Sequence, residues 1–87
     1  MSRLERIKIA LSGALQPISL KVMDESHLHT GHAGAKPGGE THYRVIISAK
    51  AFKGTTLLTR HRLINEALRE EFATGLHALS IEAKPAE

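Results

Sequence analysis

Six histidines and no cysteine define the chemistry open to this 87-residue chain. His27, His29 and His32 fall in one glycine-rich stretch, His42 follows close behind it, and His61 and His77 stand apart. Imidazole changes charge near neutral pH and is the commonest metal ligand. Without a thiol the chain forms no disulfide and offers no thiolate, so soft-metal chemistry must draw its sulfur from a partner. The histidine spacing matches no recognised closed metal site, and three imidazoles without a carboxylate or thiolate in register equally suit a solvated loop. His32, between Gly31 and Gly34, is the ring that the backbone presents most freely, which suits a shared ligand site better than catalysis. His77 stands at the entrance of a strand, where its ring either packs inward or points outward as a ligand. His61 lies beside the apolar stripe of a helix and reads as a packed histidine at the edge of the core.

The second charged constellation is Arg60-His61-Arg62. With Thr59 as N-cap, both arginines enter the first helical turn, where the macrodipole disfavours cations by at least a few tenths of a kcal/mol. An anion held by the free N–H groups and the guanidinium forks accounts for that placement. Two solvated arginines, with Arg62 reaching Glu66 one turn on, account for it as well. Signatures of nucleophilic, nucleotide-binding and zinc-protease enzymes are absent. The aromatic residues are Tyr43, Phe52 and Phe72; Tyr43 and Phe72 fall on core faces, which leaves no platform for stacking bases.

The elements that position these residues follow from periodicity. Leu4, Ile7, Leu11 and Ala14 recur at helical spacing, and Pro17 ends that helix. Ile18, Leu20 and Val22 alternate as a half-buried strand that closes at Asp24-Glu25-Ser26. Residues 26–39 have no apolar period and carry four glycines, which predicts a long mobile loop. Tyr43, Val45, Ile47 and Ala49 form the inner face of a second strand, paired with the first as a wide hairpin. A turn at Phe52-Lys53-Gly54 leads to a helix whose stripe is Ile64, Ala67, Leu68 and Phe72, closed by Gly75. Leu79, Ile81 and Ala83 give a third strand, and the tail 84–87 is expected to fray. The result is one α+β domain over 1–87, helix–strand–strand–helix–strand, with a three-stranded mixed sheet and helices on one face.

Apolar residues make up 41% of the chain, and the net charge is +3. That composition builds a core but no deep cleft in so short a chain, and argues against an enzyme. A mild basic excess permits phosphate or an acidic partner without requiring either. No apolar run approaches the ~20 residues of a membrane span. The N-terminus lacks the apolar core of a signal peptide, so the cytoplasm is the expected compartment.

Asp24-Glu25-Ser26, Gly31-His32, Glu40-Thr41-His42-Tyr43, Phe52-x-Gly54, Arg60-His61-Arg62 and His77-Ala78-Leu79 occur in an order and spacing that resemble BolA-like proteins. The resemblance extends from Leu15 to Ala83. It implies an α-β-β-α-β fold related to type II KH domains and a heterodimer with a monothiol glutaredoxin. A [2Fe-2S] cluster would be shared with the glutaredoxin cysteine and glutathione, none being held tightly by this chain alone. The ligands implied here are His77 and a loop histidine, His32, with His29 or His27 as substitutes. The family also contains transcriptional regulators, so DNA is the alternative partner, with Arg60, Arg62, Lys50 and Lys53 on phosphates and a strong salt dependence. Weak homodimerisation stays open. The Gly-x-x-Gly loop of KH modules has one glycine here, in Phe52-Lys53-Gly54-Thr55.

Overall fold

The computed structural model describes residues 1–26 and 41–86. Helix α1 runs Arg3–Leu15, strand β1 Ser19–Asp24, strand β2 His42–Ala49, helix α2 Leu57–Ala67, helix α3 Arg69–Ala73 and strand β3 Ala78–Pro85, with a 3-10 turn at Lys50–Phe52. Strand β2 is central: β1 pairs with it antiparallel and β3 parallel. The parallel pair needs a crossover, and the α2–α3 segment supplies it. This is the expected α+β architecture with a mixed sheet.

Local sequence explains each boundary. The Ser2 hydroxyl accepts the Glu5 N–H and caps α1. Gln16 ends that helix in the left-handed region at φ 45°, just ahead of Pro17. The period of two is sharpest in β2, where Tyr43, Val45, Ile47 and Ala49 are buried. They form one core with Val22 and Ala83 of the flanking strands, Ile7, Leu11 and Leu15 of α1, and Phe52, Ile64, Leu68 and Leu76. Among the described residues, no helix is long and apolar enough to cross a membrane.

Three expectations need correction. The cap of α2 is Thr56, whose side chain accepts the Thr59 N–H, and not Thr59. The helix therefore begins one turn earlier, and its first turn carries Leu57 and Leu58 in place of the arginines. Second, the helical stripe breaks at Leu68 (φ −102°, ψ 15°), which divides α2 from α3. Past the break Glu71 is buried and Phe72 is 36% exposed, although the period placed Phe72 inside. Third, the tail is paired up to Pro85, and Ala86 is buried with its N–H bonded to the Ala49 carbonyl. Of the tail, Glu87 alone lies outside the described residues.

Glu71 tolerates burial because two arginines of α1 meet it. Arg3 Nη1 donates to Glu71 Oε1 at 2.9 Å and to the Glu71 carbonyl at 3.1 Å, and Arg6 Nε donates to both carboxylate oxygens at 3.1 Å. Arg3 also donates to Thr74 Oγ1 and to the Thr74 carbonyl, covering acceptors at the C-terminus of α3. The first helix thus fixes the end of the crossover, three residues before His77. A buried charge that loses its partner is costly. Glu71→Leu should therefore lower unfolding free energy by about 2–4 kcal/mol, read as a reduced urea midpoint at unchanged m.

Candidate metal-ligand site

At one end of the sheet, β2 and β3 both start and β1 finishes. The Thr41 carbonyl accepts the N–H of His77 at 2.8 Å and the N–H of Ala78 at 3.1 Å. This pair of bonds opens the parallel register, with His42 opposite Ala78. On the other side of β2, Ser26 closes the antiparallel pair. Its hydroxyl oxygen accepts the N–H of Thr41 at 2.9 Å and of His42 at 3.1 Å, and its O–H reaches the His42 carbonyl at 3.4 Å. The same carbonyl accepts the Glu25 N–H at 2.8 Å, and Asp24 Oδ1 accepts the Ser26 N–H. Ser26, Thr41 and His42 are all buried. One small hydroxyl thus satisfies main-chain donors that water cannot reach.

Two imidazoles meet over this knot. The His42 and His77 ring centroids lie 5.3 Å apart with the planes tilted by 55°. His42 alternates with Tyr43 and so stands on the helix-free face of the sheet, yet it is 6% exposed. Its Nδ1 is 2.9 Å from Thr41 Oγ1, within hydrogen-bond distance. His77 itself is exposed. It is not packed inward as a core histidine. His27, His29 and His32 lie outside the described residues, but the segment that carries them leaves from Ser26 and returns at Thr41. Of the two described residues that flank it, Thr41 bonds to the His77 backbone, and Ser26 bonds to Thr41 from the β1 side of β2. Among the described residues, no group of three or more histidines and carboxylates is placed to hold a metal ion.

The basic residues lie elsewhere. Arg60 spends its guanidinium inside the molecule: Nε donates to Thr55 Oγ1 at 3.0 Å, Nη2 to the Thr55 carbonyl at 2.9 Å and Nη1 to the Ala83 carbonyl at 3.1 Å. It ties the start of α2 to β3. Arg62, Lys50 and Lys53 are exposed. Glu66 pairs with Arg69 at 3.3 Å, where the sequence suggested Arg62. His61 is half-buried, in keeping with a place at the edge of the core.

A family model described as BolA-like protein matches residues 11–87. The chain belongs to the BolA-like family. It is 47% identical over 85 residues to the chloroplastic protein BOLA1 of Arabidopsis thaliana, which covers 95% of this chain and 53% of that protein. It is 42% identical over 77 residues to the DNA-binding transcriptional regulator BolA of Escherichia coli, covering 88% of this chain and 70% of that one. The solved BolA domain of SufE1 from Arabidopsis thaliana superposes with a TM-score of 0.88 at 46% identity, over 98% of this chain and 93% of that domain. This chain thus spans about half of one plant relative, and 24% of the full SufE-like protein 1.

What the sequence did not expose is the His42–His77 contact and the Ser26 knot beneath it. Both come from strand pairing between distant segments, which a single periodicity does not encode. Ser26→Ala should leave two buried N–H groups without their acceptor, at a cost of about 1–3 kcal/mol for each. Amide hydrogen exchange should accelerate at Thr41 and His42 more than at Val45 in the centre of the strand.

Proposed function

We propose that this BolA-like protein is an accessory module, not an enzyme, that binds a monothiol glutaredoxin and contributes imidazole ligands to a shared [2Fe-2S] cluster in iron–sulfur assembly or iron-status regulation. The observation that carries this reading is the exposed His77, held through its backbone to Thr41, a residue close behind the histidine-bearing stretch in sequence. The donor set fits: a chain without cysteine supplies neutral nitrogen, and the thiolates come from the glutaredoxin and glutathione. Exchange of thiolate for neutral imidazole raises a cluster's potential, as in Rieske centres. The described residues leave His77 exposed and keep its backbone in the parallel register; His32, or else His29 or His27, is the second ligand in this proposal.

The test is to mix the protein with a monothiol glutaredoxin, glutathione and a source of iron and sulfide under anaerobic conditions. A heterodimer with a visible spectrum distinct from that of the glutaredoxin alone is expected. His77→Ala should abolish the difference; an unchanged spectrum would remove His77 from the ligand set.

DNA binding is the second reading, favoured by the name of the Escherichia coli relative and by the exposed Arg62, Lys50 and Lys53. Arg62→Ala with Lys53→Ala should then weaken binding to a promoter fragment and lower the salt slope by roughly 1–2. Equal affinity for any duplex would count against it. Arg60→Ala is a poor probe, because its first effect would be on the Thr55–Ala83 tie.

A further inference from the structure

We infer that His42 is a positioning residue for His77, setting the orientation in which that exposed ring is offered; as a statement about metal binding it rests on the ligand reading of His77. His77 is anchored through its backbone N–H to Thr41, which leaves the side chain free to rotate about its own bonds. The contact that restrains the ring is with His42, at 5.3 Å and 55°. That separation and tilt belong to the tilted, edge-to-face arrangements that aromatic rings prefer. His42 is itself unable to follow His77. Its N–H is held by Ser26, its carbonyl by the Glu25 N–H, and its Nδ1 is shared with Thr41 Oγ1.

The two histidines therefore differ in task. One residue is buried, with its main chain held by Ser26 and Glu25 and its ring by Thr41 Oγ1, and the other is exposed and leans on it. A ligand that is already oriented loses less rotational freedom on coordination, which is how neighbours of a metal ligand raise affinity without touching the metal. Thr41 links the two levels, since its carbonyl holds the His77 backbone and its hydroxyl the His42 ring.

The experiment reads the ring of His77 by NMR in the folded protein without any cluster, comparing the wild type with His42→Ala, His42→Phe and Thr41→Val. The wild type should show cross-relaxation between the two rings and a single side-chain rotamer for His77. His42→Ala should give rotamer averaging at His77, while His42→Phe, which keeps an aromatic ring in place, should restore one rotamer. Thr41→Val should give an intermediate result. In reconstitution with glutaredoxin and glutathione, His42→Ala should weaken cluster retention about two- to tenfold, the factor expected from an aromatic pair. His42→Phe should recover most of that loss. Spectra of backbone amides confirm that each variant is folded, and any that is not is replaced by His42→Tyr. Absence of the ring contact in the wild type, an unaltered His77 rotamer in His42→Ala, or equal loss of cluster in the alanine and phenylalanine variants would overturn the inference. Because the ring measurement needs no cluster, it decides the role of His42 even where His77→Ala shows the ligand reading to be wrong.

Discussion

The main-chain carbonyl of Thr41 is the point on which the site depends. It receives the N–H groups of His77 and Ala78 and so starts the parallel pairing of β2 with β3. The Thr41 N–H is meanwhile held from the opposite side by Ser26. A residue this buried cannot leave its polar groups unpaired without a cost of about 1–3 kcal/mol for each. The start of one strand, the end of another and the entrance of a third are thereby fixed within one small set of hydrogen bonds. Ser26 and Thr41, the described residues on either side of the histidine-bearing stretch, both belong to that set.

A parallel pair also demands that the chain return from the far end of the sheet, and electrostatics complete that return. Arg60 joins the beginning of the crossover to β3, and Arg3 with Arg6 holds its end through Glu71 and Thr74. Three arginines are thus engaged in holding elements together. Exposed cations such as Arg62, Lys50 and Lys53 remain as surface charge. His77 and the start of α2 lie beyond opposite ends of β2 and are separate regions of the protein.

Much of the fold is legible in the sequence because its strands and first helix obey simple periods. Alternation over Tyr43–Ala49, the stop at Pro17 and the glycine at 75 each have one local cause. The departures share a different origin. Glu71 is buried only because Arg3 and Arg6 lie opposite it, a pairing between the two ends of the chain that no helical period reports. Thr56 and Thr59 are equally good caps by type, and the Arg60 N–H bonded to the Thr56 carbonyl settles which one opens the helix. The last strand runs further than expected because Ala49 and β2 offer it partners. For the site, His77 was legible as an outward or inward ring at a strand entrance, but its contact with His42 required the register between β2 and β3. His32, His29 and His27 remain expectations drawn from family resemblance.

The proposed function requires this chain to give imidazole nitrogen to a cluster held with a partner. Pulsed EPR on the reduced heterodimer, assembled from 15N-histidine-labelled protein and unlabelled glutaredoxin, tests it most directly. Strong hyperfine coupling to labelled nitrogen, with the contribution of one ligand lost in His77→Ala, is the predicted result. A reduced cluster without ligand-strength coupling to any histidine of this chain would contradict the claim.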